Sequence, residues 1–316
     1  MHNIYCENCI EGAKDHILDE SIDLLICDPP FGINEASFDK HYNRNSDVVL
    51  DGYVEAPEDY YTFSYQWLSE AMRVMKKDAS MYVISGHTNL IHIENVIKEL
   101  GFNLVNHIIW KYNFGVNTKN KFVTSHYHIL YLTKDKKSNN KFNTYCRFGP
   151  QEKDIDGKSL LYKDLEDVWI INKEFSPGEK KNQNKLPNEL VSKMILYSSD
   201  EGDSVCDFFL GNFTTAFVAY GLGRIPYGFE INKISYDENI KIFDDIEFGY
   251  KLKDLRDVPI SIPSNSGKPI SDLEKANIRF DFEKFSKIYK YKKEVIEALC
   301  LKYGRGRFSI YRILKD

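Results

Sequence analysis

The chain lacks any hydrophobic stretch that could cross a bilayer. No uninterrupted apolar run approaches the roughly 18 to 20 residues that a membrane-spanning helix needs. The first seven residues also lack the basic start and the apolar block of a signal peptide. Of the 316 residues, 42% are hydrophobic and 28% are charged, which is typical of a folded globular protein. We therefore expect a cytoplasmic protein with one large α/β domain and a small appendage.

Cysteine is scarce, and the six cysteines are scattered along the chain. Cys6 and Cys9 have the C-x-x-C spacing, but no second pair and no histidine cluster follows nearby. A lone pair of this kind is weak evidence for zinc or redox chemistry. Cys27 and Cys206 lie in apolar runs and are expected to be small core residues. We therefore predict no metal site.

Positive charge is in short supply overall, because the net charge is −5. This argues against a uniformly basic protein that coats DNA. The basic residues are nevertheless concentrated in two places. Residues 111–147 contain eight Lys or Arg and one acidic residue, and residues 276–316 contain eleven Lys or Arg and five acidic residues. Such islands suggest surfaces that face a polyanion, although solvated charged faces have the same composition.

Strand and helix patterns alternate over residues 1–248, which indicates a parallel-type sheet with helices on both faces. A polar stretch at 34–57 has no periodicity and is predicted to be a mobile loop. The pattern is also lost between 133 and 185. We predict strands at 21–27, 80–85, 106–110, 127–132, 204–208 and 227–231, and helices at 58–75, 88–100, 188–198 and 214–220.

The character of the chain changes after residue 248. Residues 249–275 contain three prolines with Ser and Gly between them and are predicted to be a linker. Residues 276–316 are basic and have apolar residues at helical spacing, so we expect three short helices. Such a unit resembles a DNA-binding helix-turn-helix. A helical cap packed on the main domain explains the pattern equally well.

The first chemical motif is Asp28-Pro29-Pro30-Phe31, which directly follows a predicted buried strand. The exocyclic amino group of a base is a poor nucleophile because its lone pair is delocalised into the ring. Acceptors for both N–H groups turn that lone pair outward, and the Asp28 carboxylate and the rigidly held Pro29 carbonyl could serve as these acceptors. The Phe31 ring could stack on a flipped-out base. A structural turn that ends the strand is the alternative.

The second motif, Asp207 to Thr215, joins a strand to a helix through a turn that contains Gly211. Such a turn lets a ligand approach the backbone, and the start of the helix offers unpaired N–H groups. Glu230 follows at the end of the next strand, where a carboxylate can bind ribose hydroxyls. Together these features indicate a nucleoside site, and a tight structural turn is the alternative.

The two motifs, in this order, resemble those of the β-class DNA amino-methyltransferases. That family has a DPP[YF] strand before a cofactor loop of the form D-x-F-x-G-x-G-T-T. The resemblance covers about residues 3–240 and implies a Rossmann-like class I methyltransferase sheet with circularly permuted motif order. It implies S-adenosylmethionine as cofactor and catalytic roles for Asp28, Pro29, Pro30 and Phe31. The implied cofactor residues are Asp207, Phe209, Gly211, Asn212, Phe213, Thr214, Thr215, Glu230 and Pro187.

The chain departs from the family pattern at two places. Phe213 replaces the second Gly of the loop, so either its ring covers the adenosine or the loop takes a different course. Residues 181–187 resemble the family segment H-P-T-Q-K-P, where Pro187 matches and the histidine is absent. Residues 121–130 resemble the segment that borders the target base, and His126 and His128 in it either line the base pocket or are satisfied at a strand edge. Residues 133–180 correspond to the family's target-recognition segment.

The resulting expectation is a site-specific methyltransferase that modifies adenine N6 in double-stranded DNA. Asp at position 28 favours adenine, because cytosine-N4 members of the family more often have Ser there. A cytosine-N4 enzyme and a non-catalytic DNA-binding protein with a methyltransferase shell stay open, as do RNA or a protein amide as acceptor. A homodimer and a cognate restriction endonuclease are possible partners suggested by the family.

Overall fold

A computed structural model describes residues 3–31, 59–113, 115, 117, 119–174, 185–258, 265 and 267–315. It divides the chain into two compact units. The first comprises Met1–Arg147 and Tyr162–Asp257, and the second comprises Phe148–Leu161 and Val258–Asp316. The loop predicted at 34–57 lies outside the described residues. Within the described ranges, no helix is long and apolar enough to cross a membrane.

Ten α-helices and eight strands are described. The strands are β1 (Asn3–Tyr5), β2 (Ile22–Cys27), β3 (Met75–Ser85), β4 (Asn103–Lys111), β5 (His126–Thr133), β6 (Val168–Ile170), β7 (Ser204–Asp207) and β8 (Ile225–Phe229). The helices are α1 (Cys9–His16), α2 (Tyr60–Val74), α3 (Leu90–Leu100), α4 (Leu160–Leu165), α5 (Asn188–Ser198), α6 (Thr214–Gly221), α7 (Lys233–Asp244), α8 (Asp272–Ser286), α9 (Lys292–Tyr303) and α10 (Arg307–Lys315).

The eight strands form one sheet in the order β1-β8-β7-β2-β3-β5-β4-β6. Among these described strands, β5 alone runs antiparallel to its neighbours. From β2 the chain proceeds through β3 toward one edge, and from β7 it proceeds through β8 toward the other. The strand order therefore reverses between β2 and β7, and in open α/β sheets ligands bind at such a reversal.

Burial on both faces explains why the central strands are almost continuously apolar. Leu24 and Ile26 of β2 face a cluster that contains Leu190 of α5 and Val218 of α6. Leu25 and Cys27 face the opposite cluster, together with Trp67 of α2 and Ile93 of α3. A strand covered by helices on both sides needs hydrophobic residues at successive positions. This arrangement confirms the predicted α/β fold with helices on both faces.

The strands and helices predicted from periodicity are present, with shifted ends. Strand β3 begins at Met75 rather than at the predicted Ser80. The sequence does not reveal its first residues because Lys76 to Asp78 are polar and hide the strand pattern. Strand β1, helix α1 and helix α7 were not predicted. Strand β6 and helix α4 also lie in the stretch that had no recognisable pattern, since elements of three and six residues are too short to show periodicity.

The second unit contains helices α8, α9 and α10 around a small apolar core. Ile278, Val295 and Ile310 are buried there. Helix α8 begins at Asp272, where Ser271 caps it by accepting a hydrogen bond from the Glu274 N–H at 3.2 Å. The expected linker at 249–275 thus includes the last residues of the first unit, up to Asp257, and the first turn of α8.

Candidate active site

The two sequence motifs lie at neighbouring strand ends, at the point where the strand order reverses. Strands β2 and β7 are paired in parallel, with Leu24 opposite Val205 and Leu25 opposite Cys206. Asp28 follows β2 directly, and Asp207 is the last residue of β7. Parallel pairing places both carboxyl groups at the same edge of the sheet, and Asp207 contributes to the electrostatic environment of Asp28.

The carboxyl group of Asp28 is unusual because one of its oxygens is shielded and unbonded. The residue as a whole is partly accessible, but Oδ1 is buried and has no hydrogen-bond partner among the described residues. The pKa of Asp28 is raised to about 8, mainly by burial and then by the neighbouring Asp207, against the smaller opposing effect of Lys173. A buried carboxylate oxygen without a partner is costly. The site therefore has an unused acceptor for a hydrogen-bond donor.

Phe31 is held in place from two sides. Its backbone carbonyl accepts a hydrogen bond from Asn89 Nδ2 at 2.7 Å. Its ring lies 5.3 Å from the ring of Tyr127, measured between centroids. A Cβ atom added to Gly86 would lie 3.4 Å from the Phe31 ring, so the end of β3 comes close to that ring. Pro29 is buried and Pro30 is half-buried, which leaves the Phe31 ring half-exposed in front of a rigid backbone.

The cofactor loop predicted at Asp207–Thr215 is a tight turn fixed by several hydrogen bonds. The Asp207 carboxylate accepts the N–H of Phe209 at 2.8 Å, and burial raises the pKa of Asp207 to about 7. Gly211 has a left-handed backbone conformation, with φ of 53°, and its carbonyl accepts the Ser235 hydroxyl at 2.7 Å. Phe209 packs edge-on against Trp67, with ring centroids 5.3 Å apart.

Phe213, which replaces the family glycine, does not cover the site with its ring. It is fully buried in a cluster with Ile4, Leu210, Ala216 and Phe243. Its backbone nevertheless keeps the left-handed conformation that a glycine would adopt, with φ of 58°. The expectation that the ring covers the adenosine is therefore not supported. Burial of the ring offsets the cost of the strained backbone at this residue.

The remaining loop residues lie at the start of helix α6 and beside it. Thr214 and Thr215 are buried, whereas Asn212 is half-exposed next to Gly211. The Thr215 hydroxyl lies near the Asp207 carboxyl but makes no hydrogen bond of good geometry within the described residues. The first turn of α6 presents backbone N–H groups at the loop, as expected for a helix start.

Glu230 joins the end of β8 to the same loop. Its carboxylate accepts the N–H of Asn232 at 2.6 Å. Burial raises the pKa of Glu230, and backbone hydrogen bonds from Asn232 and Gly211 oppose that effect in part. The residue is 8% exposed. Gly228 lets β8 approach this closely, because a Cβ there would lie 2.6 Å from the Asp207 carbonyl oxygen.

Two predicted features lie outside this cluster or are only partly described. Pro187 is buried at the N-cap of α5, and its carbonyl accepts the N–H of Val191 at 3.2 Å. Residues 181–184 of the same motif lie outside the described residues. His128 shares a 2.8 Å hydrogen bond with His107, and its pKa is lowered to about 4, mainly by burial and then by neighbouring histidines. This geometry favours a satisfied histidine at a strand edge.

Lys173 was not identified from the sequence. Its ammonium nitrogen lies 4.9 Å from the Tyr112 ring centroid and 5.1 Å from that of Tyr127. It follows β6, in a stretch of sequence without recognisable pattern, so periodicity gives no signal for it. Pairing of β6 with β4 is what brings this lysine to the site.

The fold and the site define a class I-type methyltransferase architecture with the DPP[YF] motif before the cofactor loop. The family model described as DNA methylase (N6_N4_Mtase) matches residues 22–241. The chain therefore belongs to the N6/N4 family of DNA methylases.

Curated relatives agree with this assignment. The type II methyltransferase M.HpaI from Haemophilus parainfluenzae is 32% identical over 253 residues, which cover 78% of this chain and 74% of that protein. The DNA adenine methyltransferase YhdJ from Escherichia coli K12 is 31% identical over 227 residues, covering 67% of this chain and 73% of that protein.

A solved structure shows the same fold. The crystal structure of the M1.HpyAVI–SAM complex superimposes with a TM-score of 0.53 at 19% identity and covers 77% of this chain and 100% of that one. The cofactor of the family is S-adenosylmethionine.

The residues present fit this cofactor. The Gly211 turn and the start of α6 offer backbone N–H groups, and Glu230 offers a carboxylate for ribose hydroxyls. The unbonded Oδ1 of Asp28 lies at the same edge of the sheet.

Proposed function

We propose that this chain methylates the N6 amino group of adenine at a specific sequence in double-stranded DNA. The observation that carries the proposal is the shielded, unbonded Oδ1 of Asp28 beside the cofactor loop. An acceptor kept free of protein donors suits a substrate N–H group. The role assigned to each site residue below is part of this proposal.

The chemistry asked of the protein is activation of a weak nucleophile. S-adenosylmethionine supplies an electrophilic methyl group when bound. Asp28 accepts one N–H of the amino group and the Pro29 carbonyl accepts the other, which turns the nitrogen lone pair away from the ring. As positive charge develops on that nitrogen, the Asp28 carboxylate stabilises it. The surplus proton then leaves through Asp28 Oδ1 to solvent, and no covalent enzyme intermediate is required.

Phe31 and its neighbours suit a base removed from the duplex. The half-exposed Phe31 ring, backed by Tyr127, offers a stacking surface for a flipped-out base. Adenine is favoured by Asp at position 28 and by the similarity to a DNA adenine methyltransferase. The family model also spans N4 enzymes, so cytosine is the competing acceptor.

Analysis of the product nucleosides tests the acceptor base. Duplex DNA of random sequence is incubated with the full chain and the cofactor, then digested and examined by mass spectrometry. We expect N6-methyladenine and no N4-methylcytosine. N4-methylcytosine alone would replace adenine with cytosine at the same site, and absence of both would contradict the proposed activity. A parallel reaction on single-stranded DNA of the same composition tests the preference for a duplex.

We propose that residues 133–180 recognise the target DNA sequence, in agreement with the family pattern. Part of it is anchored to helix α5, where Asp164 accepts the Tyr197 hydroxyl at 2.6 Å and pairs with Lys193 Nζ at 3.2 Å. Lys193 also lies 4.5 Å from the Trp169 ring centroid. A recognition segment needs such fixed points, since base-edge hydrogen bonds require defined geometry.

The second unit is proposed to bind duplex DNA through helix α10. Helices α9 and α10 are joined by a short turn in which Gly304 is left-handed. Arg305 in this turn is buried and donates to both carboxylate oxygens of Glu274, at 2.8 and 2.9 Å. The turn is therefore rigidly tied to α8, as a helix-turn-helix requires.

The exposed face of α10 has the composition of a DNA-contacting surface. Phe308 is 91% exposed and Tyr311 is 41% exposed, and Arg307, Arg312 and Lys315 are exposed beside them. No acidic residue occurs within α10. Cations interleaved with aromatic side chains suit phosphate and base contacts.

Removal of one cation from α10, compared with removal of one cation from α8, tests this surface. We expect Arg312→Ala to weaken DNA binding and to reduce the slope of log K against log salt by about one. Lys275→Ala removes an exposed cation from α8 that pairs with Asp272 and should leave the slope unchanged. Equal slopes for both variants would make the second unit a structural cap. A homodimer and a cognate restriction endonuclease remain proposals drawn from the family.

A further inference from the structure

We propose that a pocket on the α5 side of the sheet binds a small organic amine, with the apolar body of the ligand among aromatic rings and its ammonium group at an acidic mouth. The pocket has about 400 Å³ of space free of protein atoms, including its opening to solvent, which is a usual size for a small-molecule site. Side chains from β3, β4, β5 and α5 and from the segment that leads into β6 line it. The described residues that line it include no member of the Asp28 or Asp207 motif, so this site is separate from that of methyl transfer.

Five aromatic side chains line the pocket. They are Tyr82, Tyr131, Phe142, Trp169 and Tyr197. The Tyr82 and Tyr131 rings are stacked, with centroids 4.7 Å apart, and the Phe142 ring lies 5.2 Å from that of Tyr197. Rings in contact with one another form a fixed wall. Their surface is apolar, and their faces attract a cation.

The hydroxyl groups of the three tyrosines are already bonded within the protein. Their partners are Ser198 for Tyr82 at 2.8 Å, Asn140 for Tyr131 at 2.7 Å and Asp164 for Tyr197 at 2.6 Å. Buried hydroxyls need such partners, and these are supplied without a ligand. The tyrosines therefore offer mainly ring surface to the pocket, and the interior suits the apolar part of a ligand.

Lys193 is the cation among the described lining residues, and its charge is balanced within the protein. The residue is 4% exposed, and its ammonium nitrogen lies 3.2 Å from Asp164 Oδ1 and 4.5 Å from the Trp169 ring centroid. Asp164 also pairs with Arg147 at 3.4 Å, and Arg147 pairs with Glu189 at 3.3 Å. Two cations and two carboxylates thus compensate one another, so this group leaves no net positive charge for an anionic ligand.

The exposed lining residues define the mouth of the pocket, and two of them are the carboxylates Glu166 and Asp167. Neither forms an ion pair within the described part of the chain. Their backbone is fixed, because the Asp167 carbonyl accepts the Ile109 N–H at 2.8 Å. A compensated, aromatic interior behind a negatively charged mouth is complementary to a molecule with an apolar body and an ammonium head.

Titration with phenethylamine tests the site in the full chain without cofactor or DNA. The Trp169 indole N–H resonance is followed by ¹H–¹⁵N NMR and is assigned with Trp169→Phe. We expect this resonance to shift saturably while that of Trp67, in the opposite core cluster, stays in place. 2-Phenylethanol has the same ring but no charge and should bind about tenfold more weakly. No saturable shift, equal affinity for the alcohol, or tighter binding of N-acetyl-lysine methylamide than of phenethylamine would overturn the proposal.

Neutral variants of the mouth test the role of its charge. Glu166→Gln combined with Asp167→Asn removes both charges and keeps the side-chain size. We expect phenethylamine to bind about tenfold more weakly at low salt, and the difference to shrink as salt screens the exposed carboxylates. The matched control combines Asp245→Asn with Glu247→Gln, two exposed acids outside the lining, and should stay within about twofold of the parent chain. Parental affinity in the mouth variant would overturn the proposed position of the ammonium group.

A substitution that fills the mouth tests the place of binding. Asn106 is an exposed lining residue of β4, and strands accept tryptophan well. We expect Asn106→Trp to weaken phenethylamine binding more than about tenfold and to leave the unfolding transition in place. Leu104→Trp is the control, because Leu104 is 45% exposed on the same strand and lies outside the lining. Parental affinity in Asn106→Trp would overturn the site, whether or not the chain methylates adenine.

Discussion

Asp28 and Asp207 are two buried carboxyl groups at neighbouring strand ends, and they are used differently. Asp207 is bonded to its own loop, where it accepts the Phe209 N–H at 2.8 Å. Asp28 leaves Oδ1 unbonded within the described part of the chain. The comparison teaches that the same residue type at the carboxyl ends of adjacent strands can stabilise a loop in one case and leave an acceptor for a substrate in the other.

The largest expected effect comes from removing the free acceptor. We expect Asp28→Ala to reduce kcat by a factor of about 10³ or more, because the developing positive charge loses its partner. Cofactor affinity, measured by calorimetry, should change by less than about threefold. Asp15→Ala, at an exposed site on α1, is the control. Near-normal turnover of Asp28→Ala would show that Asp28 is not catalytic.

Phe213 lies in the same loop as Asp207, and two substitutions there separate the effect of ring burial from that of the left-handed backbone. Phe213→Ala should lower the free energy of unfolding by about 3–5 kcal/mol, the usual cost of emptying a buried phenylalanine site. Phe213→Gly also empties the site but relieves the left-handed backbone, so we expect it to be about 1 kcal/mol less destabilising than Phe213→Ala. Denaturant unfolding measures both. If Phe213→Gly is the less stable variant, the backbone at residue 213 is not strained.

Gly228 tests how closely β8 must approach the loop. A Cβ there would lie 2.6 Å from the Asp207 carbonyl oxygen and 2.7 Å from Leu210. We expect Gly228→Ala to push the loop away from Glu230 and to weaken cofactor binding about tenfold. Gly157→Ala serves as a comparison, because nothing lies within 4 Å of its added Cβ and only backbone strain at φ of 78° results. Equal cofactor affinity in both variants would contradict a close fit at Gly228.

The smallest expected effect concerns stability and pH. The folded-state pKa of Asp28, about 8, lies above the ordinary value of 3.8. The folded protein therefore binds more protons than the unfolded chain between these values, and Asp28 costs stability as the pH rises from about 4 to 8. Asp28→Asn removes that cost. Because Asp28 is partly accessible, solvent screens most of this cost, and we expect a rise in melting temperature of about 2–4 °C at pH 8.5 and no effect at pH 4. An equal change at both pH values would exclude titration of Asp28 as the cause.

Much of the fold follows from the sequence because its central strands are buried on both faces. The apolar run of β2 and the helix pattern of α5 predict those elements at or near their observed ends. The short edge elements do not, since Asn3–Tyr5 and Val168–Ile170 gain their structure from pairing with β8 and β4 rather than from local pattern. Edge strands of three residues have no periodicity to detect.

Some residues of the candidate site can likewise be identified from the sequence, and others cannot. Asp28, Phe31 and Glu230 could be identified because they follow strands that the sequence reveals. Lys173 could not, because its position depends on the pairing of an unpredicted strand. The direction of the Phe213 ring could not be predicted from the sequence either, since the family pattern shows only that glycine is replaced. The burial that decides it comes from Ile4 and Phe243, which are distant in sequence.

The most direct measurement is a crystal structure of the chain with duplex DNA that contains its target and with S-adenosylhomocysteine. The account predicts an extrahelical base stacked on Phe31, with its amino nitrogen about 2.7–3.2 Å from an oxygen of Asp28. A structure in which the amino group binds other residues while Asp28 points away from the base would contradict the account.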